Sequence, residues 1–415
     1  MNAEAKTEAV VSRAVLALVV ILALVAMLRE PCRGEDKRPN VVLIISDDHS
    51  YPEYGWMGHP HIKTPVIDKL ATEGLTFQRG YVTNSVCGPS LTTMLTGLYV
   101  HQHRRTTNHG GVDKTMLGLF MKCPRMPAIH GEAGYVSYQG GKFWQGRSAN
   151  AGFTEGENGA RKVGRETMQP IYDFIDRAQE QQEPFFVWYA PYIPHSPHTP
   201  PQKHLDAYSH ITDAEPKHLA KYAMISWLDE TCGQLLDHLQ RRGLRENTLI
   251  MYIVDNGVGV KGGRGGKSKA YEGGVRTPVI IHWPDHVRPK MDETTPVSAV
   301  DVAPTILSVC GIEPPAEMAG INLLDADAVA RREAVFSAEF GGLKRDPHDP
   351  AMNCLSRTCF RNEWKLILRR DGSAELYDVL ADVLEKNNLA ATRPDLVAQM
   401  TRLTNKWWSV EKNTP

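Results

Sequence analysis

Four short runs rich in β-branched and aromatic residues constrain this chain most: residues 41–45, 185–189, 249–254 and 279–283. A strand that is apolar on both faces must be covered on both, so such runs read as buried strands of a parallel sheet. Helical patterns lie between and after them, over residues 65–73, 167–181, 220–242 and 303–309. In the third, Met224, Ile225, Leu228, Leu235, Leu236 and Leu239 form one apolar stripe, and Gly243 supplies a helix end. The expected fold is therefore α/β, a large mainly parallel sheet sandwiched by helices. Beyond about residue 330 the pattern changes. Residues 335–339, 364–368 and 374–378 read as short strands and 394–408 as a final helix, a smaller C-terminal antiparallel α+β subdomain.

Two of the buried runs end in oxygen-bearing side chains, Asp47-Asp48 and Asp255-Asn256. Ligands of open α/β sheets gather at the carboxyl ends of strands, so these residues are expected to converge although some 200 positions apart. An all-oxygen donor set suits Ca²⁺, or less well Mg²⁺, rather than zinc. A lone pair of this kind could equally be an Asx turn; two pairs in one strand-end context favour a metal site. Cys87 precedes Gly88-Pro89-Ser90, and a proline there suits the first turn of a helix. The cysteine would then sit at a helix N-terminus, which favours anions. Lys142, His195 and Lys267 stand in Gly- or Pro-rich loops, where solvated or structural roles compete with binding ones.

With 47 Lys+Arg against 48 Asp+Glu, the formal net charge is −1, which gives no electrostatic case for nucleic acid. The apolar run 14–28 follows Arg13 and reaches the upper length of a secretory h-region, short of the roughly 20 residues of a spanning helix. Residues 1–36 are read as a signal peptide or an N-terminal membrane anchor, and the protein as exported, to a periplasmic or extracellular place. Seven cysteines without C-x-x-C spacing argue against a disulfide framework; Cys232 and Cys310 read as core, while Cys354 and Cys359 are near enough in sequence to bridge.

Several ordered segments carry a resemblance. They are Arg38-Pro39-Asn40 through Asp47-Asp48, the Cys87 segment with Leu95-Thr96-Gly97-Leu98-Tyr99, Pro184-Phe185-Phe186 through Pro194-His195, and Leu228-Asp229-Glu230-Thr231. Further on come Asp255-Asn256-Gly257, Tyr271 through Arg276, Trp364 through Ile367, Glu375 through Asp378 and Asn387 through Ala390. From about Arg38 to Ala390 the chain resembles a type I sulfatase of the alkaline phosphatase-like superfamily. The resemblance implies a catalytic domain over 37–330 and a subdomain over 331–415. It implies that Cys87 is converted to formylglycine by a formylglycine-generating enzyme, and that the aldehyde hydrate attacks sulfur. Asp47, Asp48, Asp255 and Asn256 then correspond to calcium ligands. Lys142, Lys267 and His195 correspond to groups that hold sulfate or protonate the leaving oxygen.

Two departures stand out. The family pattern C-x-P-S-R ends here in Leu91, and the usual G-K-x-H is Gly141-Lys142-Phe143-Trp144. The missing arginine normally aids maturation and braces the hydrate; a tryptophan cannot shuttle a proton. His101, His103 or His109 are candidates to replace the histidine in space. Three outcomes follow: an active sulfatase on a small-molecule or polysaccharide sulfate ester, a phosphate or phosphonate ester hydrolase of the same fold, or a silent glycan-binding protein. Specificity is expected from loops 146–165 and 343–352, including Lys344 and Arg345, and Trp407-Trp408 are expected to pack in the core.

Overall fold

The computed structural model describes residues 38–108, 113–212, 214–341, 346 and 348–410. The expected N-terminal signal or anchor, Cys32, His109, Lys344 and Arg345 lie outside the described residues. Among those described, no helix is long and apolar enough to cross a membrane.

The first sheet is built from β1 (Asn40–Ser46), β2 (Leu75–Tyr81), β3 (Val136–Gly141), β4 (Glu155–Gly156), β5 (Phe185–Ala190), β6 (Thr248–Val254), β7 (Arg276–His282), β8 (Lys290–Asp292) and β9 (Val297–Ser298). Its order is β4-β3-β5-β1-β6-β7-β2-β8, with β9 pairing β2. The pairs β3–β5, β5–β1 and β1–β6 are parallel. β7 is antiparallel to both β6 and β2, so β2 again runs with the majority.

Alternation along the central strands divides the core. Val41, Leu43, Ile45, Trp188, Met251, Ile253 and Ile281 face one side, where they meet Met94 and Leu95 of the Cys87–Thr96 helix and Ile306 and Leu307 of the Val302–Val309 helix. Val42, Ile44, Val187, Tyr189, Ile250, Val254 and Ile280 face the other. There they meet helices Pro65–Glu73, Gln169–Glu180 and Pro216–Arg241. Helices thus cover both faces, which is why these strands are apolar throughout. The expected stripe at Met224, Leu228, Leu235 and Leu239 is buried, and Gly243 ends that helix at φ +67°.

A second sheet, β10 (Val335–Phe340), β11 (Cys354–Arg361), β12 (Trp364–Arg369) and β13 (Ala374–Asp378), is antiparallel throughout. The Pro394–Trp407 helix packs its Met400 on Cys359, Leu366 and Leu376. Cys354 and Cys359 are both free. They sit five residues apart along one strand, roughly 16 Å at a strand's rise per residue, which is too far for a bridge. Cys232 and Cys310 are buried as expected, and Trp407 stacks on Phe336 with ring centres 4.7 Å apart.

Candidate active site

Strand register assembles the site. Ser46 pairs with Val254, so Asp47-Asp48 and Asp255-Asn256 leave neighbouring parallel strands at the same level. His195 follows β5, Lys142 follows β3 and Cys87 follows β2, all at the carboxyl ends of parallel strands. Lys267 comes from the loop entering antiparallel β7, whose start lies at that same edge.

The contacts are direct. Asp255 Oδ1 accepts from the Asp48 amide at 3.0 Å and from the Asn256 amide at 2.6 Å. Asn256 Nδ2 donates to Asp48 Oδ1 at 2.7 Å. Asp48 itself sits at φ +58°, a left-handed backbone that costs a non-glycine residue about 1 kcal/mol and turns its carboxylate inward. Lys142 Nζ pairs with Asp47 and, at 3.0 Å, with Asp255 Oδ2. Lys267 Nζ lies 2.6 Å from Asp48 Oδ1 and 3.2 Å from Cys87 Sγ. His195 Nε2 stands 3.3 Å from Asp48 Oδ2, while its Nδ1 meets the Ser196 carbonyl at 2.5 Å. All eight residues expected from the sequence are therefore in one place.

Gly141 makes the Lys142 position possible. Its φ is +87°, and a Cβ there would fall 2.1 Å from the Ala190 carbonyl oxygen. The Cys87–Thr96 helix does begin at Cys87, with Pro89 in its first turn.

One ligand atom from each of Asp47, Asp48, Cys87 and Asp255 lies within 4.8 Å of the others, and all four residues are buried. Asp47 Oδ2 and Asn256 Oδ1 are buried without a hydrogen-bond partner. Two orphaned oxygens beside crowded carboxylates fit a hard dication. Charge points the same way: burial pushes the Asp47 carboxyl well above its ordinary range against the pull of Lys142, with Asp255 and Asp48 adding to the rise. At Asp48, burial works upward too, but Lys267, Lys142 and His195 together outweigh it and hold the carboxyl below its usual value. Burial, then Asp255, pushes the Cys87 thiol up to about 12.

Other expectations fall elsewhere. His101 stacks on Trp408 at 4.8 Å, and His103 commits its ring nitrogens to Thr93 Oγ1 and the Arg105 amide. Arg165, from the 146–165 loop, braces the His195 loop by donating to the carbonyls of Tyr192 at 2.6 Å and His195 at 3.2 Å. Nothing in its spacing marks it, because the contact depends on a loop-to-loop approach.

Carboxyl-end convergence of this kind, with a helix starting at position 87, is the arrangement of the alkaline phosphatase-like hydrolases. Within that class the Sulfatase family pattern matches residues 39–312, and the chain belongs to that family. The pattern of the N-sulphoglucosamine sulphohydrolase C-terminal region matches residues 265–412. The chain is similar to the N-acetylgalactosamine-6-sulfatase of Mus musculus, 26% identical over 370 residues, covering 74% of this chain and 69% of that one. It is 24% identical over 471 residues to the N-acetylglucosamine-6-O-sulfatase of Bacteroides thetaiotaomicron, covering 86% and 84%. It spans about two thirds of the length of its vertebrate relatives. Among solved structures, Ps i-CgsB in complex with k-i-k-neocarrahexaose superposes with a TM-score of 0.75 at 22% identity, covering 91% and 94%. The phosphonate monoester hydrolase of Agrobacterium radiobacter does so with 0.67 at 19%, covering 89% and 95%. At such identities these two share the fold.

Proposed function

We propose that this protein hydrolyses sulfate esters of a sulfated carbohydrate, using a calcium ion and a formylglycine matured from Cys87. The observation that carries the reading is the Lys267 ammonium held between Asp48 and Cys87 Sγ, beside two carboxylate-rich strand ends. The named relatives supply the sugar class: both are amino-sugar 6-sulfatases. Residues 37–330 are the catalytic domain, 331–415 the subdomain behind the β7 entry loop, and 1–36 an export signal or anchor.

Asp47, Asp48, Asp255 and Asn256 would hold the calcium ion, which would supply Lewis-acid polarisation of a sulfate oxygen, and position 87, once matured, would supply the hydroxyl nucleophile. The chain's own residues do the remainder. Lys267 places positive charge at position 87, where the sulfate oxygens gather. Lys142, fixed by Gly141, keeps Asp47 and Asp255 from repelling one another apart. His195 is one-third exposed at its side chain, the right place to hand a proton to a departing alcohol. As an unmodified thiol, buried Cys87 stays protonated near neutral pH and is a poor nucleophile.

The test is mass spectrometry of the residue 80–104 peptide after co-expression with a formylglycine-generating enzyme, followed by calcium-dependent turnover of sulfated sugars. An aldehyde at position 87 with sulfate release is expected. The fold shared with the phosphonate monoester hydrolase favours one second reading, so phosphonate and phosphate esters belong in the same screen. Preference for those esters overturns the sulfatase reading; an unmodified Cys87 in a calcium-loaded, inactive protein leaves a glycan binder.

A further inference from the structure

Leu91 and Trp144, the two departures from the family pattern, belong to one apolar environment. Leu91 is 1% exposed within the core on the nucleophile-helix side, and Trp144 packs against the same cluster. The segment following the Val100–His103 helix returns to the start of the Cys87–Thr96 helix at this point. Asn108 Oδ1 accepts the Gly88 amide hydrogen at 2.6 Å, satisfying a first-turn donor that the helix leaves open. Arg105 lies alongside and is buried. A Cβ on Gly88 would stand 2.7 Å from Asn108 Oδ1 and 2.8 Å from Arg105 Nε, so only a glycine admits both. Arg105 Cζ sits 5.7 Å from the Trp144 ring centre, a cation–π distance. Gln145, next to Trp144, donates to Thr92 Oγ1 at 2.8 Å and so ties this wall to the nucleophile helix.

A guanidinium is rarely buried without a role, because removing it from water costs several kcal/mol. This one abuts the residue after position 87, at the helix end that already favours anions. Burial lowers its pKa to about 10, with Asp113 opposing, and it stays charged at neutral pH. An arginine at position 91 would add a second buried cation one helical turn away. A histidine at 144 would offer a smaller, titratable ring to the guanidinium face. Leu91 and Trp144 are the residues that a relocated arginine calls for.

We propose that Arg105, packed against Gly88 and covered by Trp144, is the positioning residue of the reaction centre, taking the place of an arginine at position 91. It rests on the sulfate-ester reading but is tested apart from it. Inorganic sulfate binding to the calcium-loaded full chain is measured by calorimetry for the wild type, Arg105→Gln and Arg105→Lys. Melting temperature, aldehyde content at position 87, and kcat and KM on 4-methylumbelliferyl sulfate are recorded alongside. Arg105→Gln is expected to bind sulfate about tenfold more weakly or worse, and to lose about tenfold or more in kcat with little change in KM, as for lost charge-assisted contacts. Arg105→Lys, which keeps the charge, recovers part of both. Equal sulfate affinity in the wild type and Arg105→Gln overturns the assignment, whether or not either protein turns over. So does a folded Arg105→Lys as weak as Arg105→Gln. A wild type that binds sulfate in an Arg105-dependent way yet cleaves no ester leaves the assignment standing and removes the sulfatase reading instead.

Discussion

Lys365 is the residue whose loss the second sheet should tolerate least. It lies on β12 with no exposed side-chain surface, and its Nζ stands 3.1 Å from Glu272 Oε1 and 2.7 Å from Glu385 Oε1. Glu385 Oε2 accepts the Glu272 amide at 2.7 Å, and Glu272 also takes the Tyr81 hydroxyl at 3.3 Å. One ammonium therefore serves two carboxylates, both almost wholly buried. Each attraction at this range is worth about 5 kcal/mol at an effective dielectric near 20, most of it offset by desolvation. Lys365→Met keeps the stem and removes the charge, leaving two buried carboxylates with only Arg276, 3.6 Å from Glu272 Oε2, beside them. Breaking a buried pair from one side costs about 3–5 kcal/mol, and that loss of unfolding free energy is expected in urea. The pH dependence is the sharper signature. Burial already raises the Glu385 carboxyl, with Glu272 adding and Lys365 opposing. A raised carboxyl contributes stability that is complete below its unfolded value and fades as pH rises through the folded one. Without Lys365 the carboxyl rises further, so the mutant's deficit should be largest at alkaline pH and shrink on acidification. A Lys365→Met protein within about 1 kcal/mol of wild type at every pH would refute the reasoning.

Three other outcomes are expected. Asp229 caps the Pro65–Glu73 helix, accepting the Ile67 and Val66 amides at 2.8 and 3.2 Å, and burial pushes its carboxyl up to about 7. Its contribution is then complete below about pH 4 and falls by about 1.4 kcal/mol per pH unit towards pH 7; Asp229→Asn should flatten that slope in melting curves. Gly141→Ala meets the Ala190 carbonyl at 2.1 Å from a left-handed backbone, so it should lose about 2 kcal/mol or more and displace Lys142, read as lower stability together with lower sulfate release. Asp255→Asn, or chelation of the wild type, should cut turnover roughly a hundredfold or more, with calcium restoring only the chelated protein.

The legible parts of this fold share a physical reason. β1, β5 and β6 are covered by helices on both faces, so every position is apolar and the run is visible in the chain. β2 and β3, each one strand in from an edge of the sheet, carry Thr76, Arg79, Ser137 and Gln139, all buried. Thr76 and Gln139 bond nearby carbonyls, at Ala71 and Gly141, but Arg79 finds its partners far away in sequence, at the Thr294 and Asn362 carbonyls. Such strands do not announce themselves, because what makes a buried arginine acceptable is not local. β7 was visible as a strand, yet its antiparallel direction was not, since direction depends on how the chain enters from the 257–275 loop.

The site divides along the same line. Carboxylates at strand ends are legible because parallel register alone brings them level, and Ser46 opposite Val254 does that whatever the loops contain. Arg105, Asn108 and Arg165 come from connecting segments without periodicity, and only a loop's path can bring them to position 88 or to His195. That division bears on how the chemistry can drift. Losing Asp47 or Asp255 would remove a carboxylate that no neighbouring strand end can replace, so the carboxylate frame and the sheet must persist together. The arginine beside position 87 is under no such constraint, since any loop that reaches Gly88 can deliver a guanidinium to that side of the helix. A departure at Leu91 therefore carries less weight against activity than a departure at Asp255 would, provided that Arg105 stays charged and Gly88 keeps its space.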